Sequence, residues 1–181
     1  MKKTLAILAA LVMIIAATAA LAEEPATMTF SGGVEFNMDM EQVMELLSKL
    51  ENMPNPEIDR EKTRGTVEFW ELEYEHVSSP EGLTCDVKYS FIGNGLVAIH
   101  YDFSEGTSYE EIKNQLSVYG EAVPFDAAKI GNASFVIDDD GDLKDCKEMI
   151  EVAGATFVLE QDREGDVDVT ILDPVAAYIN N

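Results

Sequence analysis

The stretch that most constrains this chain runs from Val87 to Phe103. Apolar residues alternate at Val87, Tyr89 and Phe91, then again at Val97, Ile99, Tyr101 and Phe103. Between the two runs stands Gly93-Asn94-Gly95, residues that reach positive φ at low cost and so suit a tight hairpin. Two antiparallel strands with one apolar side need a cover, so the hairpin speaks for a scaffold. It leaves the chemistry open.

Phe30 to Phe36 reads as an extended entry with glycines where the backbone turns. Asp39 is a good N-cap with Gln42 three residues on, and Val43, Leu46, Leu47 and Leu50 then recur at helical spacing. Asn52 to Pro56 stops that helix, because proline denies the residue before it helical geometry. Glu57 to Gly65 reads as a charged loop or frayed turn. Thr66 to Val77 follows as a strand, with Trp70, Leu72, Tyr74 and His76 on one side and Glu71, Glu73 and Glu75 on the other. Leu83 to Ile92 and Leu96 to Phe103 complete a three-stranded meander.

The same order begins again after Ser104. Ser108 caps a helix with Glu111 at its third position, and Tyr109, Ile112, Leu116 and Tyr119 line one side. Gly120 is placed as the left-handed residue closing it. Ala133 to Ile137 reads as a short strand, and Asp142 to Val152 as a helix bearing Leu143, Cys146, Met149 and Ile150. Strands are expected at Ala155 to Glu160 and Val167 to Leu172, around a turn at Asp162 to Gly165. Asp173-Pro174 starts a last helical turn. The expected fold class is therefore α+β, two tandem helix-plus-antiparallel-sheet halves at 23–103 and 104–181.

Residues 1–22 read as a secretory signal peptide. Lys2 and Lys3 form the positive start, Leu5 to Ala19 the apolar run, and Ala20-Leu21-Ala22 the small-x-small site cleaved after Ala22. The apolar run is short for a membrane span. An exported bacterial protein, secreted or held in the cell envelope, is the expected localisation.

Lys and Arg number 12 against 35 Asp and Glu, a formal charge of −23. Nucleic acid binding requires basic groups to neutralise phosphates, so nucleic acid is a poor partner. An anionic membrane is excluded on the same ground. A basic protein partner fits the charge, and an acidic surface also keeps secreted chains soluble. Cys85 and Cys146 are the only cysteines. An exported chain permits a disulfide between them, and two buried apolar thiols are the other reading.

Three pieces carry a family resemblance: the entry from Phe36 to Val43, the Tyr89-x-Phe91, Leu96 and Tyr101-x-Phe103 hairpin, and the helix end Leu116-x-x-Tyr119-Gly120-Glu121. The first resembles the helix start of the outer-membrane-assembly lipoprotein group SmpA/OmlA, in which Gly is commoner at the position of Asn37. The doubled arrangement is similar to the β-lactamase inhibitory protein fold. The resemblance implies helices packed on antiparallel sheet and a sheet side used to bind protein. No inhibitor contact residue of that fold matches a position here.

No motif of enzyme chemistry stands out. There is no Gly-x-Ser-x-Gly elbow and no His-Glu-x-x-His, and two histidines are few for a zinc site. The acidic run Asp138, Asp140 and Asp142 invites a calcium loop, but with Gly141 at the sixth position the first falls on Val136 and the twelfth on Lys147, neither of them a carboxylate. These aspartates are weak candidates only, and no cofactor is expected. His100 and Asp102, with Lys88 across the hairpin, would share one side of the sheet. Trp70, Tyr74, Tyr89 and His100 are the candidate partner-binding residues, since aromatics ringed by glutamate suit a protein interface. The expected function is a non-enzymatic protein-binding module. A cell-envelope assembly factor and, less favoured, a small hydrolase using acidic residues stand as alternatives.

Overall fold

A reciprocal cap opens the first helix, α1 (Met40–Leu47). The Asp39 carboxylate accepts from the Gln42 N–H at 2.8 Å, and the Gln42 side chain accepts from the Asp39 N–H at 3.0 Å. Two of the orphan donors at the helix start are thereby satisfied. Just ahead, Asn37 sits at φ 67°, a left-handed conformation that glycine and asparagine reach most cheaply. Its N–H donates to the Leu96 carbonyl, and the Leu96 N–H donates to the Met38 carbonyl, so the helix entry is tied to the hairpin.

The computed structural model describes residues 28–51, 53–59, 68–78, 84–138 and 143–178. The expected leader and its cleavage site lie outside them. After α1 come strands β1 (Glu57–Asp59), β2 (Phe69–Ser78), β3 (Thr84–Ile92) and β4 (Gly95–Phe103), then helix α2 (Tyr109–Leu116) and strand β5 (Val123–Pro124). Two short helices, α3 (Ala127–Ile130) and α4 (Ser134–Asp138), precede β6 (Cys146–Val152), β7 (Ala155–Gln161) and β8 (Val167–Leu172). All eight strands pair antiparallel in one sheet, ordered β1-β2-β3-β4-β8-β7-β6-β5. The fold is α+β. The meanders β2-β3-β4 and β6-β7-β8 meet where β4 pairs with β8, from Ala98 opposite Leu172 to Phe103 opposite Val167.

One side of the sheet is sealed by α1 and α2. Val43 and Leu47 from the first helix, and Ile112 and Leu116 from the second, join a core with Leu72, Tyr89, Phe91, Ile99, Phe157 and Ile171. Tyr109 donates to Glu148 at 2.9 Å, and Lys113 pairs with the same carboxylate at 2.6 Å, pinning α2 to β6. A second, smaller core lies on the other side, where Ile130, Ala133, Val136 and Ile137 cover Ala98, Met149, Val158 and Leu172.

Several expectations are corrected. The segment expected as a loop from Glu57 contains β1, whose three exposed residues pair with β2 through backbone alone and so carry no alternating pattern. Ala133 to Ile137 is helical rather than a strand: a short apolar run suits either, and Ile130, Ala133 and Ile137 present one helical side to the second core. Asp142 to Val152 contains a strand, not a helix. Met149 and Ile150 are both fully buried on opposite sides of the sheet, and a strand buried on both sides loses the alternation that marks it.

Three local expectations also change. Gly120 is not among the glycines with positive φ; a Cβ there would lie 2.9 Å from Ile150 Cγ2, so the residue serves a close approach of helix end to sheet. Ser108 precedes α2 without a side-chain cap. Val97 lies in the second core rather than beside Ile99, because a bulge shifts the register between Ser90 and Phe91. His76 likewise leaves the side of Trp70: it takes φ 57° at a bulge between Tyr74 and Val77, and its N–H donates to Asp86 Oδ1 at 2.6 Å.

Candidate functional site

Where α1 begins, the sheet leaves a groove. Strand β2 supplies Trp70 and β3 supplies Phe91, both on the helix-covered side. The cap and first turn of α1 bring Asp39, Met40 and Glu41, and Glu68 stands just before β2. The Gly93-Asn94 turn closes one end, and the space enclosed is about 430 Å³. Phe91 is fully buried, Trp70 is half-buried, and all three carboxylates are exposed. An aromatic wall rimmed by three acids, with no basic side chain among the described residues that line it, is an environment for a cation.

The other candidate aromatics are not there. Tyr74 and Tyr89 are 3% and 4% exposed, with ring centroids 6.0 Å apart at 85°, and they pack as core beneath the helices. Their alternation marked the sheet side that helices cover, and they are not available to a partner.

His100 lies on the opposite side, in a polar band that crosses the sheet. Lys88 is its register partner on β3 and Thr170 on β8. The next row runs Asp86, Asp102, Asp168, Glu160 and Cys146 over five neighbouring strands. Thr170 is fully buried and donates to Glu160 Oε1 at 2.9 Å. With that hydrogen committed, His100 Nδ1, 2.9 Å from Thr170 Oγ1, is the donor of the next bond. His100 Nε2 then stands 3.9 Å from Asp168 Oδ1. Farther along, Ser90 reaches buried Glu71 at 3.5 Å, and Lys88 Nζ lies 3.9 Å from the same carboxylate.

Asp168 is a strongly perturbed acid of this band. Burial, then the charges of Asp102 and Glu160, push its carboxyl up to about 7, and a hydrogen bond to Asp102 holds the proton between them. A carboxyl protonated near neutrality beside an imidazole can exchange protons. The groove at Trp70, however, is on the other side of the sheet.

No family model, curated protein or solved structure matches this chain.

Cys85 and Cys146 are free thiols on opposite sides of the sheet, which leaves no disulfide between them. Burial pushes each up to about 12, so neither is a thiolate at neutral pH. Asp138 ends α4, while Asp140 and Asp142 lie outside the described residues. Among the described residues the group of three carboxylates close enough to hold a metal ion is Asp162, Glu164 and Asp166 of the β7–β8 turn, with ligand oxygens within 4.8 Å of one another. Asp162 there accepts three backbone N–H bonds, from Glu164, Gly165 and Asp166, as a turn-forming aspartate does.

Sequence reasoning reached Trp70, His100, Lys88 and Asp102 but missed the groove and the rest of the band's second row. Asp102 and Asp168 occupy alternate positions in their strands, which is a visible signal. Their adjacency needs the pairing of β4 with β8, which no local pattern states.

Proposed function

We propose that this chain is an exported, acidic, non-enzymatic binding protein that engages a protein partner at the Trp70 groove. The observation that carries the reading is a half-buried indole standing in a groove of about 430 Å³ between α1, β2 and the β3–β4 turn. Amphipathic aromatics with an apolar body and a wet rim are the usual anchors of protein interfaces. The charge of −23 adds long-range attraction for a basic partner. Export rests on Lys2, Lys3 and the apolar run behind them.

Capture tests this reading. The wild-type chain and a Trp70→Ala variant are immobilised and exposed to medium and envelope extract of the parent organism. A protein retained by the wild type and released by the variant is the expected result. Equal retention on both, or none on either, overturns the assignment of the groove.

A further inference from the structure

We infer that the Trp70 groove takes a cationic side chain, a lysine ammonium on its alkyl stem, presented by an extended basic segment of the partner. The inference rests on the binding reading above and names the chemistry of the occupant. Trp70 and Met40, both half-buried, offer an apolar wall along which a methylene stem can lie, with Phe91 packed behind them. Asp39, Glu41 and Glu68 stand at the rim, where an ammonium would remain in contact with water.

The start of α1 works against a cation, since a helix N-terminus carries roughly half a positive charge. Two of the three carboxylates, Asp39 and Glu41, are seated at that terminus and outweigh it. One Asp39 oxygen accepts from the Gln42 N–H, and the residue is exposed where it lines the groove. An anionic ligand would meet three like charges. The indole adds attraction that a cation alone can exploit, because its face is the negative part of the ring quadrupole.

Trp70 is the single tryptophan of the chain, so its emission reports on the groove directly. The test titrates the protein with a short peptide of alternating lysine and alanine. The same peptide with every lysine acetylated is the neutral control. A saturable change in Trp70 emission with the first peptide and none with the second is expected. Replacing Glu41→Gln and Glu68→Gln together is expected to weaken binding about tenfold, the scale of two lost charge contacts. Replacing Glu164→Gln and Asp166→Asn removes the same charge at a distant turn and is expected to weaken it less than about twofold, by screening.

Equal binding of the acetylated peptide overturns the inference. So does equal weakening by both double variants, which would reduce the effect to net charge. A protein captured through Trp70 that is joined by no lysine-peptide response would leave the binding reading standing and remove this one. A lysine-peptide response without any captured partner would do the reverse.

Discussion

The two sides of the sheet are built on different terms. Under α1 and α2 the side chains are apolar without interruption from Leu72 through Tyr89, Ile99 and Ile171 to Phe157. On the other side an apolar half, capped by α3 and α4, gives way to a band of Lys88, His100, Thr170, Asp102, Asp168 and Glu160. Burial of apolar area is non-directional and tolerates small errors of position. Buried carboxylates and hydroxyls instead depend on every partner being in place. The first side supplies stability, and the second makes it conditional.

Three measurements test that contrast. The largest effect is expected from Phe157→Ala. Phe157 is fully buried, and its ring stacks on Tyr119 with centroids 5.3 Å apart. Its truncation is expected to cost about 3–5 kcal/mol in denaturant unfolding. A cost below about 1 kcal/mol would mean that the helix-covered side is not the main source of stability.

A smaller loss is expected from Thr170→Val, which keeps shape and deletes the hydroxyl linking His100 to Glu160. Leaving those two groups each short of a bond is expected to cost about 2 kcal/mol. Full stability in the variant would show that the band is indifferent to its hydrogen bonds.

The smallest effect is a pH dependence. Asp168 is raised from 3.8 to about 7, so the folded state holds a proton that the unfolded chain has released. Its contribution is therefore present at low pH, declines as pH rises from about 4, and is gone above about 7. Because the side chain is partly exposed and shares its proton with Asp102, about 1–2 kcal/mol is expected across this window. Thermal melts of wild type and Asp168→Asn at both ends check it: the variant is expected to flatten the slope, and an unchanged slope would move the effect to another group.

What the sequence discloses follows the same division. The β3–β4 hairpin, the Asp39 cap and the apolar sides of α1 and α2 are legible because one side of each is buried and the other wet, which leaves a periodic trace. Helix α1 ends at Leu47, before Leu50, and the rest of its expected side holds. The trace fails at β6, where Met149 and Ile150 are buried on both sides, and in the segment 131–138, too short to separate strand from helix. Of the site, Trp70 and His100 are visible as residue types. That they face opposite ways, and that Tyr74 and Tyr89 lie beneath helices, is settled by packing between segments far apart in the chain.

The strands at the two margins, β1 and β5, are three and two residues long. β1 carries Glu57 and Asp59, and β5 ends in Pro124, which has no N–H to give. A neighbouring chain that tried to extend this sheet would find few unpaired backbone groups to template on, and charge where it needed contact. At these margins among the described residues, the sheet does not invite growth into a filament. The recognition proposed for this chain uses side chains in a groove and asks nothing of the sheet's edge backbone.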